Sequence, residues 1–425
     1  MAKENFWKPF EEYVNLFKIR ASYGKLANQN TQSWYPTYAV MNIGTNQGTW
    51  LVDGKQTNIA NAPALVSSSL TWENVKTFDV GFDLGALGNR LTVSFDWFRR
   101  DTENMVGPAP VLPSALGKEP PTTNNTSLKT TGWELSMGWK DRILDFNYGI
   151  DLSLSDNQTV ITDYPATVRD VDKNFAGKHV GDIYGYTTIG IAKSNQEMKN
   201  HLTSLPNGGQ TAIGSNWSTG DVMYEDINGD GKVDDGDGTI DNPGDLTVIG
   251  NSEARYRIGI NLYLSWRGLD CSMFWQGVLK QDFSPGPDNA TFYGAVGESI
   301  WWSQALEQHL DYFRNDATHP LGLNLDSYYP RPLFQGGKKN QQHQTRYIQN
   351  AAYMRLKNIQ IGYTLPKKWT QKFHCQNLRV YVSGENLLTI TGLTDIYDPE
   401  TMWGGYYGTV YPLSKTLACG INLTF

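Results

Sequence analysis

The chain has 425 residues, with 36 Lys plus Arg against 43 Asp plus Glu, a net charge of −7 and a pI near 5.4. That balance gives no electrostatic grip on a phosphate backbone and argues against nucleic-acid binding. Charged residues are 19%, below the roughly 25% of soluble proteins, while aromatics reach 12% with 42 Gly, which argues against a coiled coil, a helical solenoid or a disordered tail.

The N-terminus, from Met1 to Phe17, has neither a basic stretch nor an apolar run, so it does not read as a signal peptide. From there the chain shows hydrophobicity of period two. Strands are predicted at 14–26, 74–85, 90–105, 129–140, 145–157, 255–267, 269–282, 353–365, 378–390 and 416–425. In the sixth, Tyr256, Ile258, Ile260, Leu262, Leu264 and Trp266 alternate with Arg257, Gly259, Asn261, Tyr263 and Ser265. Phe78–Leu84, Trp133–Trp139, Phe146–Leu154 and Leu417–Phe425 follow the same rule.

Between these strands, short connectors at 86–89, 141–144 and 268 and a fairly short one at 366–377 alternate with long ones at 27–73, 106–128, 158–254, 283–352 and 391–415. Short turns at one end and long loops at the other are the habit of a membrane β-barrel. The expectation is an all-β, antiparallel transmembrane barrel segment, with Ile258, Ile260, Leu262 and Leu264 toward lipid and Asn261 and Ser265 toward the lumen. No run approaches the ~20 apolar residues of a membrane helix, and mean hydropathy is −0.47. A short helix is predicted within 295–314, where Ile300, Ala305, Leu306, Leu310 and Phe313 fall at helical spacing.

The sharpest local motif lies in the 158–254 loop. Asp226, Asn228, Asp230, Asp234 and Asp237 take loop positions one, three, five, nine and twelve, with Gly231 at six and the Lys232 carbonyl at seven. This is calcium-loop spacing of hard oxygen ligands. Position twelve is Asp rather than the usual Glu, and no helices flank the loop, so a structural calcium ion is expected rather than a signalling site. The bland alternative is an Asp/Gly-rich turn. Trp301, Trp302, Trp403, Tyr406 and Tyr407 lie in long loops and are candidate substrate contacts, since aromatic faces stack on sugar rings. Their alternative is loop packing or an interfacial girdle. Cys271, Cys375 and Cys419 make no disulfide framework, and the six His lack metal spacing. No Ser/His/Asp set or acid–base carboxylate pair is legible, so no enzyme is expected.

Several segments resemble the SusC/RagA family of TonB-dependent outer-membrane transporters. They are Phe17–Gly24, Ser69–Glu73 with Val80–Asp83, Tyr353–Pro366, Leu378–Thr389 and the closing Pro412–Thr416 with Gly420–Phe425. The resemblance implies the outer membrane of a Gram-negative bacterium of the Bacteroidota type, and import of oligosaccharides or oligopeptides energised by TonB. It also implies a SusD-like lipoprotein partner. About ten strands are too few for the roughly 22-stranded plugged barrel of such transporters. Residues 1–425 are therefore expected to be the C-terminal barrel portion, with plug and N-terminal barrel strands supplied elsewhere. The rival readings are a soluble calcium-bound glycan-binding module and a cell-surface hydrolase. They are separated from the barrel by whether the apolar strand face meets lipid or an enclosed core.

Overall fold

A computed structural model describes the chain except residues 1–3, 11, 30–36, 68, 110–112, 114, 116–117, 119, 167, 298–303 and 406–407. Ten long strands form one antiparallel sheet: β1 (Val14–Asn28), β2 (Glu73–Ala86), β3 (Leu91–Gly107), β4 (Thr123–Ile143), β5 (Phe146–Asp163), β6 (Arg255–Trp266), β7 (Leu269–Lys280), β8 (Tyr353–Thr364), β9 (Asn377–Thr391) and β10 (Thr416–Thr424). Each strand pairs with its sequence neighbours. Within the described residues β1 pairs only with β2 and β10 only with β9, so the sheet is an open wall with two free edges.

All ten predicted strands are present. The largest boundary differences fall on one adjacent pair: β4 starts at Thr123 rather than 129, and β5 ends at Asp163 rather than 157. Residues 123–127 are polar on both faces, so this end of the strand carries no alternation to read. Its neighbour β5 runs equally far, and Thr130 and Thr159 hydroxyls meet across the pair at 2.8 Å.

Register turns the alternation of each strand into continuous rows. One apolar row runs Phe17, Leu84, Val93, Met137, Leu152, Ile260, Trp275, Leu356 and Leu388 across nine strands. A second runs Tyr148, Leu264, Cys271, Ile361, Val382 and Cys419. The polar row beside the first runs Lys18, Asp83, Ser94, Ser136, Ser153, Gly259, Gln276, Arg355 and Thr389. Ile258, Ile260, Leu262 and Leu264 thus share one face, and Asn261 and Ser265 the other. None of the four apolar residues is buried.

The short connectors gather at one end. The β6–β7 turn is Arg267–Gly268, with φ of +48° and +90°. Two successive positive φ values give the turn whose twist matches a hairpin. A Cβ on Gly268 would lie 2.7 Å from the Thr364 carbonyl, so both conformation and space require glycine there.

The hydrophobic cores lie in the long connectors. One holds Phe283, Phe292, Tyr293, Tyr329, Tyr347, Leu393, Tyr397 and Met402. Another holds Tyr186, Ile191, Leu205, Val222, Tyr224, Val233 and Phe313. Removal from water stabilises apolar groups, and these connectors bury them as a small globular protein would. The connector after β5 contains a helix, α1 (Asn195–Thr203), capped by Ser194 and packed through Met198. The short helix predicted within 295–314 is found only in part, and Ile300 lies outside the described residues. Its described residues hold two separate 3₁₀ turns, Gly294–Val296 and Glu307–Leu310, with Gln304–Leu306 irregular between the second turn and the undescribed stretch. His309 explains the second turn, because its Nδ1 accepts from the Leu306 N–H at 3.0 Å and its other nitrogen meets the Phe292 carbonyl at 3.1 Å.

Candidate functional site

The polar face of the sheet carries cross-strand ion pairs. Arg20 on β1 meets Asp83 at 3.0 Å and Asp96 at 2.9 Å, and Ser94 donates to Asp83 at 2.9 Å. Arg379 on β9 spans β8 to reach Asp270 on β7 at 3.0 Å and donates to Gln360 at 3.0 Å on the way. The opposite face carries aromatic contacts instead. Trp7, Phe17, Phe82, Phe95 and Trp133 succeed one another with centroid separations of 5.3, 6.3, 5.8 and 6.4 Å. One face is therefore built for water and charge, the other for an apolar surrounding.

The loop shell is held by buried charge. Asp221 is fully buried and meets Arg331 at 2.9 Å through two nitrogens, Lys339 at 2.9 Å and Asn340 at 3.0 Å. Lys339 also donates to the Ser215 and Asn216 carbonyls at 2.9 Å and sits over the Trp217 ring at 4.6 Å. Burial, the largest single influence, pushes the Asp221 carboxyl up. The hydrogen bonds from Arg331, Asn340 and Lys339 outweigh it and hold the group below its usual range. This node ties the connector after β5 to the connector after β7. Their sequence separation of 110 to 119 residues left no spacing signal.

The predicted calcium loop is a tight series of side-chain-to-backbone turns. Asp226 accepts from Gly229 N at 2.7 Å and Gly231 N at 2.8 Å, Asn228 from Asp230 N at 2.9 Å, and Asp230 from Lys232 N at 3.1 Å. Gly231 has φ of +81°, the sharp bend its loop position demands. The Lys232 ammonium pairs with Asp234 and lies 3.8 Å from Asp230. It holds the Asp234 carboxyl below its usual range. Asp237 accepts from Thr239 N at 3.1 Å and Thr239 Oγ1 at 2.6 Å. Among the described residues no three His, Cys, Asp or Glu side chains are grouped to share a metal ion.

Sequence reasoning missed Asp245. It is fully buried and accepts from Ile227 N at 2.7 Å, Asn228 N at 3.3 Å and Asp234 N at 2.9 Å, pinning both arms of the loop. Burial raises its carboxyl. It lies beyond the motif window, so ligand spacing could not point to it.

Of the aromatic candidates, Trp301, Trp302, Tyr406 and Tyr407 lie outside the described residues. Trp403 is 54% exposed, and its ring packs edge-on to Phe283 at 5.0 Å. It is an anchored aromatic that stays more than half exposed.

Comparison with known proteins places the sheet. The model of the TonB dependent receptor-like β-barrel family matches residues 6–270, more than half of the chain. The chain belongs to this family. It is similar over its whole length to TonB-dependent receptor P3 of Formosa agariphila, at 27% identity, covering 41% of that protein. SusC of Bacteroides thetaiotaomicron is 23% identical, with 39% of its length covered. The solved structure of the RagAB peptide transporter overlays 97% of this chain and 41% of its own, with a TM-score of 0.70 at 22% identity. At that identity the overlay shows the fold. The SusC/RagA resemblance and the antiparallel barrel class read from the sequence both hold. The chain spans about two fifths of the length of these relatives.

Proposed function

We propose that this TonB-dependent receptor segment is part of the wall and outer loop shell of a Gram-negative outer-membrane importer. The observation that carries the reading is the two-faced open sheet. Apart from Leu356 its apolar rows are unburied, while the buried cores lie in the connectors at one end. A soluble glycan-binding module would enclose the apolar face, and this sheet leaves it exposed. From Ile258 to Trp266 is about 26 Å of strand at ~3.3 Å per residue, enough to cross a hydrocarbon core about 25 Å tall with tilt.

In this reading the polar face lines the lumen and the loop shell meets the nutrient and a SusD-like lipoprotein outside. Energy comes from TonB through a plug supplied beyond these strands. The two free edges take the remaining barrel strands. The substrate class is oligosaccharide or oligopeptide, with Trp403 a contact and Trp301, Trp302, Tyr406 and Tyr407 its companions. The chain performs no covalent chemistry. Calcium is part of the proposal: Asp226, Asn228, Asp230, Asp234, Asp237 and the Lys232 carbonyl would hold it, pinning the loop. For that, the Lys232 ammonium has to leave Asp230 and Asp234, and Asp237 has to release Thr239.

The deciding experiment is uptake of labelled oligopeptide and oligoglucoside ladders by cells with and without the gene. The wild type is expected to accumulate one class in a TonB-dependent manner. Equal accumulation in both strains, or cleavage of the ladder by the purified protein, rejects the importer reading.

A further inference from the structure

The connector between β9 and β10 folds back onto the polar face of the sheet. Arg355 and Lys357 on β8 make the anchor. Arg355 belongs to the polar row through Gln276 and Thr389, and it is almost fully buried. Its Nε donates to Thr389 Oγ1 at 2.8 Å and one terminal nitrogen donates to Asp398 at 2.7 Å. The other faces Glu400 at 3.3 Å, and Lys357 donates to the second Glu400 oxygen at 2.9 Å. Two cations of one strand thus meet two anions of one loop turn.

The register explains how both cations reach the same side. Pairing shifts between Leu356 and Asn358, and the partner β9 has Asn386 at φ of +52° at the same level. A bulge adds one residue and re-aims the side chains beside it. The face therefore gains Lys357 as well as Arg355 before regular alternation resumes at Asn358 and Gln360. Apolar packing holds the far side of the loop. Leu393, Tyr397 and Met402 are buried with Phe283 and Phe292, and the Tyr397 hydroxyl donates to the buried Asn289 at 3.0 Å. Trp403 follows directly on this anchored turn.

We infer that residues 393–403 form a fixed constriction at the outer mouth of the lumen, latched by Arg355 and Lys357 to Asp398 and Glu400, and that it limits the size of the molecule admitted. The inference rests on the importer reading for the meaning of the polar face. The latch itself rests only on the contacts above. A charge pair buried this way is costly to break from one side, because the partner is left unpaired. The loop is consequently closed at rest and not a mobile lid.

The test compares wild type with Asp398→Asn/Glu400→Gln and with a charge-neutral quadruple, Arg355→Gln/Lys357→Gln/Asp398→Asn/Glu400→Gln, which leaves no unpaired charge. Amide exchange of the purified complete receptor in detergent reads the latch. Exchange across 393–403 is expected to rise at least tenfold in both variants, with 221–224 in the other half of the shell unchanged as the folding control. Uptake of graded oligopeptide and oligoglucoside ladders by cells carrying the complete receptor reads the constriction, and the variants are expected to admit longer members than wild type. Unchanged exchange overturns the latch. Raised exchange with an unchanged length limit overturns the constriction. A wild type that imports neither ladder counts against the importer reading and leaves exchange to decide the latch.

Discussion

At the residue scale the consequential groups are buried charges whose partners come from far along the chain. Asp221 has its folded-state pKa below the unfolded value, so its stabilisation is fully present above the ordinary carboxylate range. It is lost as pH falls through the lower folded value. Asp221→Asn leaves Arg331 and Lys339 facing a neutral amide in a buried site. The expected cost is about 3–5 kcal/mol to the loop shell, the usual penalty for stranding a buried charge. Limited proteolysis in detergent should cut within 164–254 and 281–352 sooner than in wild type, with the sheet intact. Equal proteolysis of the two proteins would show that the node contributes little. Lys232 gives a second expectation. Its ammonium occupies the carboxylates a calcium ion needs, so Lys232→Met should tighten calcium binding by about tenfold, a gain of ~1.4 kcal/mol. Titration calorimetry on chelator-treated protein measures it, and flat titrations for both proteins remove calcium from the proposal.

At the element scale each strand is defined by which face meets which medium. Ile260 sits mid-strand in the apolar row between Leu152 and Trp275, and Asn261 sits beside it in the polar set between Asp151 and Phe274. Ile260→Arg should cost roughly 2–4 kcal/mol if its row is at the bilayer midplane. Asn261→Arg should cost under about 1 kcal/mol, because a lumen-facing head stays hydrated. Urea refolding into lipid vesicles separates the two, and equal costs would reverse or abolish the assignment of faces. The elements hidden from sequence reading share one physical cause. Residues 123–127 of β4 are polar on both faces, so no alternation marks them. Helix α1 has only Met198 and Leu202 directed to its core, too few apolar positions to show a helical period. The short turns were legible because Gly268 and its neighbours carry conformational requirements of their own.

At the scale of the whole molecule, two free edges and an exposed apolar face describe a wall that needs further strands to enclose a lumen. The isolated 425-residue chain is therefore expected to give no TonB-dependent uptake, while a polypeptide that also supplies closing strands and a plug does. Reconstitution of each with TonB tests this, and uptake by the isolated chain would contradict it. Trp403→Ala in the complete receptor should weaken substrate retention by about 0.5–1.5 kcal/mol if its ring stacks on the nutrient, with folding unchanged. Identical retention would return Trp403 to a packing role beside Phe283.

By itself the sequence determined the strands, their order of short and long connectors and the family, because a period of two is a local property that recurs in every strand. It also placed the Asp226–Asp237 motif, since its turns are closed by residues two to five positions apart. Only the tertiary structure decided what the connectors do. Asp221 finds Arg331 and Lys339, Asp245 finds Asp234, and Arg355 finds Asp398 and Glu400 across separations that leave no periodic trace. The connectors read from sequence only as long loops, because their composition is mixed, yet Tyr224, Phe292, Tyr329 and Tyr347 are buried in them. A core assembled from scattered aromatics is specified by packing in three dimensions, and no window of sequence contains it.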